Sequence, residues 1–197
     1  RKPNVLLIYF HNSTWQNCTT IFIVDCNVLM ANDIDQIYCT MQIIIYGVTG
    51  DLAEKKLLPS LNNLEKRDLL PENLKIVGVS RRDWNDNEFK NYVRETLDET
   101  DLEEQLIERL EFVGINFADN KGFADLHKKM TVLSEQNPDE RFIHYFSVKP
   151  DFYFDILDGL KSYNIVEDFQ EKIIAAIEKP FGGNLKSAQE LAEKVKK

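Results

Sequence analysis

A glycine-rich turn lies between an apolar run and a helix-like segment, and it is the strongest chemical feature of the sequence. It follows the pattern G-x-x-G-x-x-A and comprises, with the next residue, Gly47, Val48, Thr49, Gly50, Asp51, Leu52, Ala53 and Glu54. Glycine lets the backbone approach a ligand closely, and a helix start offers unpaired N–H groups with a partial positive charge. Residues 47–54, called the glycine turn, therefore predict nucleotide binding. The alternative is a tight turn whose glycines serve packing alone.

Two arginines follow the second apolar run, where Arg81 and Arg82 come directly after Ile-Val-Gly-Val-Ser. Folds that bind NAD usually carry an acidic residue near this position, which accepts hydrogen bonds from the ribose hydroxyls. An arginine instead suits a 2′-phosphate, through charge-assisted and often bidentate contacts. The pair therefore predicts NADP in preference to NAD. The alternative is two solvated surface arginines.

A third motif, Glu-Lys-Pro-Phe-Gly at residues 178–182, follows the fifth apolar run. Ligands of open parallel sheets bind at the carboxyl ends of the strands. Lys179 at this edge can reach both a phosphorylated or hydroxylated substrate and a nicotinamide, and Pro180 can fix the turn. The alternative is a solvated lysine at a strand end.

The elements that would position these motifs alternate along the chain. Apolar runs predict strands at residues 42–46, 75–79, 112–117, 141–148 and 172–177. Helical spacing of apolar residues predicts helices at residues 52–66, 87–97, 102–110, 122–136, 150–163 and 187–196. This alternation predicts an α/β fold, Rossmann-like and doubly wound, with a mainly parallel sheet and helices on both faces.

The composition of the chain argues against several classes of binding partner. The 33 acidic residues outnumber the 24 basic ones, and a net charge of −9 argues against a general nucleic-acid or anionic-membrane binder. No apolar run approaches the roughly 18 residues of a transmembrane helix. Residues 4–10 are too short for a signal-peptide core. We expect a cytoplasmic protein without a metal site, since its three cysteines include no CxxC pair.

The first 40 residues differ from the rest of the chain. They contain all three cysteines, few charged residues and two Asn-x-Ser/Thr sequons, which we interpret as chance occurrences. Residues 20–24 could form a strand. Because the alternating pattern begins right after Met41, we predict that residues 1–40 are an appended leader and that residues 41–197 form the domain.

These motifs together closely resemble the N-terminal NADP-binding domain of glucose-6-phosphate dehydrogenase, over essentially residues 41–197. The resemblance rests on motifs that occur in order: the glycine turn, Lys55-Lys56-Leu57 with Pro59, Ile76-Val77-Gly78 with Arg81, and Glu178-Lys179-Pro180-Phe181-Gly182 with Leu185 and Ser187-Ala188. It implies a pentose-phosphate-pathway enzyme that oxidises glucose 6-phosphate to the 6-phospho-lactone, with hydride transfer to NADP.

The resemblance also implies roles for individual residues. The coenzyme phosphates would lie on the glycine turn, from Gly47 to Glu54, and Arg81 would bind the 2′-phosphate. Four further positions match residues near the adenosine, nicotinamide or substrate: Asn116 and Phe117 at the end of the third strand, Tyr153 beside the coenzyme, and Lys179 touching coenzyme and substrate. Pro180 matches the proline that positions the coenzyme and the substrate.

Two departures from the family qualify these expectations. Glu54 stands where Lys or Arg is usual, so its negative charge should weaken pyrophosphate binding unless solvent screens it. The chain also stops before the family's general-base histidine and substrate domain, and we expect His11, His127 and His144 to be structural or solvated. We therefore predict an inactive fragment with no catalytic residue of its own, and a homo-oligomer only for the full-length enzyme. A stand-alone NADP-binding module and a non-functional gene remnant remain open as alternatives.

Overall fold

The computed structural model describes residues 7–9, 22–24, 41–97, 102–170 and 172–177. Two short strands, β1 (Leu7–Tyr9) and β2 (Phe22–Val24), pair antiparallel as a separate two-stranded sheet. The main sheet has five parallel strands: β3 (Met41–Tyr46), β4 (Ile76–Ser80), β5 (Leu110–Gly114), β6 (Arg141–Phe146) and β7 (Ile173–Ile177). Their order across the sheet is β5-β4-β3-β6-β7. This order confirms the predicted doubly wound, Rossmann-like α/β fold.

Helical segments connect the parallel strands. A π-helical turn (Ala53–Leu57) continues directly as α1 (Leu58–Glu65), and a 3-10 turn (Pro150–Phe152) leads into α5 (Tyr153–Ser162). The remaining helices are α2 (Asp86–Thr96), α3 (Glu104–Glu108), α4 (Phe123–Gln136) and α6 (Ile165–Asp168). In the described parts of the chain, no helix is both long and apolar enough to cross a membrane.

The sheet separates two hydrophobic cores. Side chains alternate between the faces of a strand, so Ile45 of β3 packs with α1 and α2 through residues such as Leu58 and Phe89. Ile44 faces the opposite core, together with Phe123 of α4 and other residues of α4 and α5. Burial on both faces explains why the strands read as continuous apolar runs in the sequence.

A capping box starts α2 just beyond β4. The Asn85 side chain accepts hydrogen bonds from the backbone N–H groups of Asn87 and Glu88, at 2.9 and 3.1 Å. The Glu88 carboxylate accepts one in return from the Asn85 N–H, at 2.8 Å. Such reciprocal bonds satisfy donors that the first helical turn leaves unpaired, and they fix where the chain leaves the end of β4.

The predicted bounds of the third strand are wrong. We expected a helix over residues 102–110 and a strand over 112–117, whereas α3 ends at Glu108 and β5 spans Leu110–Gly114. Pairing with β4 sets this register, because the Ile76 N–H donates to the Arg109 carbonyl at 2.9 Å. The Arg109 guanidinium also binds Glu65 at 2.7 Å, which holds this junction against α1.

The other predicted strands and helices lie within a few residues of their observed positions, and Phe22–Val24 confirms part of the strand expected at 20–24. The short strand β1 and the helix α6 were not predicted. The predicted helix over residues 187–196 lies outside the described residues.

A buried tyrosine–histidine pair joins the central strand β3 to its neighbour β6. The Tyr46 hydroxyl lies 2.8 Å from His144 Nδ1, and both side chains are fully buried. Burial disfavours the imidazolium and lowers the pKa of His144 to about 3. His144 is thus a structural residue of the sheet, kept neutral by its apolar surroundings.

Replacing His144 by Gln should make the fold less sensitive to acid. The folded chain holds this imidazole neutral down to a pKa of about 3, whereas the unfolded chain titrates near 6.5. Protons therefore bind the unfolded state preferentially between these values, and His144 costs about 1.4 kcal/mol of stability per pH unit as the pH falls below 6.5. We would measure the free energy of unfolding in urea at about pH 7.5 and at about pH 5. Its decrease between these two pH values should be about 2 kcal/mol smaller in His144→Gln than in the wild type.

His127→Gln is the matched control, because it removes a half-exposed imidazole from α4 and leaves the sheet intact. If the free energy of unfolding fell equally between the two pH values in the wild type and in His144→Gln, the assignment of His144 as a buried neutral residue would be contradicted.

Candidate functional site

The glycine turn leaves the carboxyl end of β3, the central strand of the sheet. Backbone N–H groups of Gly47 and Val48 both donate to the Val79 carbonyl of β4, at 2.8 and 3.1 Å. On the other side β3 pairs with β6. The chain goes from β3 to β4 on one side and from β6 to β7 on the other, so the strand order reverses direction between β3 and β6. In folds of this type such a switch point leaves a crevice at the carboxyl ends of the strands. The turn therefore lies where ligands of this fold bind.

Gly47 has a backbone conformation and a packing environment that only glycine accepts. Its φ angle is +80°, in the left-handed region that other residues adopt with difficulty. A Cβ atom here would lie 2.5 Å from the Ser147 carbonyl oxygen and 2.6 Å from Val148 Cγ1. The turn is consequently seated directly on the chain that leaves β6.

The rest of the turn begins a helix and leaves its backbone accessible. The Gly50 N–H donates to the Gly47 carbonyl at 2.9 Å, and the Glu54 N–H donates to the Gly50 carbonyl at 3.0 Å. Val48 and Ala53 are fully buried and anchor the turn. The N–H groups at a helix start have no acceptor within the helix, so residues 49, 51 and 52 can offer donors to an anion.

A second glycine, in the neighbouring strand β4, allows close packing beside the turn. A Cβ atom at Gly78 in β4 would lie 2.5 Å from Phe89 Cζ and 3.0 Å from Val48 Cγ1. The missing side chain thus allows α2 and the glycine turn to pack closely on the same strand. Sequence reasoning used Gly78 only as part of a motif and missed this role in packing.

The two arginines lie exposed just after β4, beside the glycine turn. The Arg82 guanidinium stands over the Trp84 ring, 5.4 Å from its centroid. Arg81 has no hydrogen bond or ion pair with another residue in the part of the chain that the structure describes. The arginines are therefore different: a ring contact holds Arg82, and Arg81 extends into solvent.

Glu54, whose negative charge the sequence analysis expects to weaken pyrophosphate binding, is hydrogen-bonded in the structure. The Tyr92 hydroxyl of α2 donates to Glu54 Oε1 at 2.5 Å. Burial raises the pKa of the half-buried Tyr92 phenol, and the hydrogen bond and charge of Glu54 raise it further. Sequence reasoning missed this contact because 38 positions separate the two residues and neither spacing nor periodicity links them.

The other predicted residues fall into two groups by exposure. Asn116 is exposed in the turn after β5, where its side chain accepts a hydrogen bond from the Ala118 N–H at 3.4 Å. Phe117 is buried with its ring edge-on to Tyr46, and Tyr153 is buried with its ring edge-on to Phe146. These two rings belong to the core in this structure, and the coenzyme contacts predicted for them stay predictions.

Phe152, which the sequence did not single out, is the exposed aromatic at this edge. It is 39% exposed, and its ring centroid lies 6.0 Å from that of Phe117 in a tilted arrangement. Lys179 and Pro180 lie outside the described residues. The structure thus brings together the glycine turn, Arg81, Asn116 and the start of α5 at one edge of the sheet.

Comparisons with known proteins point to one family. The model described as "Glucose-6-phosphate dehydrogenase, NAD binding domain" matches residues 44–197. The glucose-6-phosphate 1-dehydrogenase of Borreliella burgdorferi is 37% identical over 153 residues, which cover 76% of this chain and 30% of the relative. That of Leuconostoc mesenteroides is 34% identical over 154 residues, which cover 76% of this chain and 32% of the relative.

A solved structure agrees with these sequence matches. The crystal structure of glucose-6-phosphate 1-dehydrogenase from Mycobacterium avium superposes with a TM-score of 0.65 and 27% identity, covering 80% of this chain and 34% of that chain. The chain therefore spans about a third of the length of the relatives that it matches.

Gly47→Ala should destabilise the fold more than Gly50→Ala does. The first substitution combines a positive φ angle with a Cβ contact of 2.5 Å to backbone, whereas the nearest contact at Gly50 is 3.1 Å and its φ angle is not positive. We expect a loss of about 2 kcal/mol or more for Gly47→Ala and a smaller loss for Gly50→Ala, measured by urea unfolding. Equal losses would contradict the conformational role of Gly47.

Proposed function

The chain belongs to the glucose-6-phosphate dehydrogenase family, and we propose that it is the NADP-binding part of an enzyme that oxidises glucose 6-phosphate. Its fold is that family's Rossmann-like domain for a nicotinamide dinucleotide. In the proposed reaction, the hydride on the anomeric carbon passes to the coenzyme and the hydroxyl proton to a base, which leaves the 6-phospho-lactone. This activity is a proposal for the whole protein, since the chain spans about a third of its relatives.

The observation that carries the proposal is the glycine turn at the switch point of a parallel sheet. A dinucleotide needs a turn without bulky side chains, together with backbone donors for its pyrophosphate. Gly47 provides the tight turn against β6, and helical hydrogen bonding begins at Gly50. The residues present therefore fit the pyrophosphate of such a coenzyme. When bound, the coenzyme would accept the hydride on its nicotinamide ring.

The preference for NADP is supported by the residues that follow β4. Arg81 is exposed beside the glycine turn and has no hydrogen bond or ion pair with the other described residues. A guanidinium with its donors in solvent can turn to a 2′-phosphate without breaking an existing contact. We propose that Arg81 makes this contact and that Arg82, stacked on Trp84, adds to the positive potential.

The remaining predicted site residues are also proposed to contact coenzyme or substrate. Asn116 is supported by its exposure at the ligand edge, and Phe117 by its tilted ring contact with the exposed Phe152. Tyr153 is supported by its place at the start of α5, on the same edge. Lys179 and Pro180 rest on the sequence motif alone, as the residues that would touch substrate and coenzyme.

No catalytic base is assigned to this chain. Of the two histidines in the described residues, His127 binds Asp168 at 2.7 Å and His144 is buried between strands. Neither one lies on the glycine turn. We also propose a cytoplasmic location, assembly as a homo-oligomer in the full-length enzyme, and that residues 1–40 are a leader outside the coenzyme domain.

Arg81→Ala should weaken NADP binding much more than NAD binding. The substitution removes a charge-assisted contact that only NADP can make, so calorimetry should show about a 10- to 100-fold loss for NADP and less than about a twofold change for NAD. Arg82→Ala is the matched control, since it removes an equal charge that is already engaged by Trp84, and its loss for NADP should be smaller. Equal losses of both coenzymes in Arg81→Ala would contradict the assignment of Arg81.

A further inference from the structure

An acidic side chain lies within the anion-binding turn of this chain. Glu54 stands four residues after Gly50, and its backbone N–H closes the first helical hydrogen bond to the Gly50 carbonyl at 3.0 Å. Side chains of a helix lean towards its N-terminus, which here is the end that a pyrophosphate would approach. A freely moving carboxylate at this position would repel the phosphates through the same helix start that attracts them.

The structure shows what restrains this carboxylate. Tyr92 of the neighbouring helix α2 donates its hydroxyl to Glu54 Oε1 at 2.5 Å. Hydrogen bonds between a neutral donor and a carboxylate are short and stronger than those between neutral groups. The bond therefore fixes one rotamer of Glu54, directed at α2, and draws negative charge density towards the phenol.

Aromatic packing holds Tyr92 itself in place. Its ring lies 5.1 Å from the ring of Trp84 and is stacked on Phe89 at 6.4 Å. Arg82 stands over the Trp84 ring of this aromatic group, 5.4 Å from its centroid. Because burial raises the pKa of Tyr92, the phenol remains a protonated donor throughout the neutral range.

The π-helical turn contributes to the same contact. Residues Ala53–Leu57 form bonds that span five residues, as the Leu58 N–H donates to the Ala53 carbonyl. A π turn is wider than an α turn and often marks a functional site. Glu54 lies on this widened turn, while the neighbouring Lys55 pairs with the exposed Asp51 at 3.2 Å. The other acidic residue of the turn, Asp51, is thus paired with a positive charge.

We propose that Tyr92 is a positioning residue for coenzyme binding, which holds the Glu54 carboxylate against α2 and away from the phosphates on the glycine turn. This inference rests on the proposed function, because it deepens the account of the same site. It identifies Tyr92 as a residue that makes an acidic glycine turn compatible with a pyrophosphate.

A double-mutant cycle on the full chain tests the proposal, with NADP and NAD as probes. Tyr92→Phe keeps the ring and removes the donor, and it should weaken binding of both coenzymes by the same factor, about 5- to 10-fold at low salt. Glu54→Gln in the Tyr92→Phe background should restore binding, because it removes the freed charge. Glu54→Gln in the wild-type background should raise the affinity by a smaller factor than it does in the Tyr92→Phe background.

The salt dependence separates an electrostatic role from a packing role. At about 1 M salt the screening length falls to about 3 Å, so the ratio of dissociation constants for Tyr92→Phe and the wild type should approach one. A loss caused by altered packing would persist. Tyr163→Phe is the matched control, since this half-buried tyrosine stacks on Phe123 on the other face of the sheet and its variant should bind as the wild type does.

Each contrary result has a distinct meaning. If the wild type binds both coenzymes and Tyr92→Phe binds them equally well, the positioning role is overturned while the proposed function stands. A loss that Glu54→Gln does not repair, or a loss confined to NADP, overturns it as well, since the effect would then bypass the carboxylate. If the folded wild type binds neither coenzyme, both the inference and the proposed function fail.

Discussion

The close contact between Gly47 and the chain leaving β6 is the constraint on which the site depends. With no room for a Cβ atom between Gly47 and the Ser147 carbonyl, the turn after β3 can sit directly over the switch point. Hydrogen bonds to Val79 hold the same turn to β4. The turn is thus fixed from both neighbouring strands, and the helix that follows starts where a pyrophosphate would lie.

The charges around this turn are arranged by residues from other elements. Arg82 rests on Trp84, and Tyr92 packs against the same ring while it binds Glu54. One aromatic group on the β4–α2 connection therefore contacts both a basic and an acidic side chain of the site. Packing decides here which charges are available to a ligand, and Arg81 has no hydrogen bond or ion pair with another described residue.

The sequence predicted the fold and the turn for a clear physical reason, and it failed where tertiary contacts decide. Strands buried on both faces read as apolar runs, and the glycine spacing of the turn is local. The start of β5 depends instead on pairing with β4 and on the Arg109–Glu65 ion pair. Likewise, Tyr92 contacts Glu54 across 38 positions of the chain, and the burial of Tyr153 depends on side chains from other elements. No local pattern in the sequence reveals either one.

Coenzyme binding at the glycine turn is tested most directly by a map of backbone amide shifts in the ¹⁵N-labelled full chain during a titration with NADP. Because the phosphates are proposed to lie on the glycine turn, the largest shifts should occur at the amides of residues 49–54 and at Arg81. NAD should shift the same amides of the turn and affect Arg81 less. Saturable shifts centred elsewhere, or none in a chain whose spectrum shows that it is folded, would contradict the central claim.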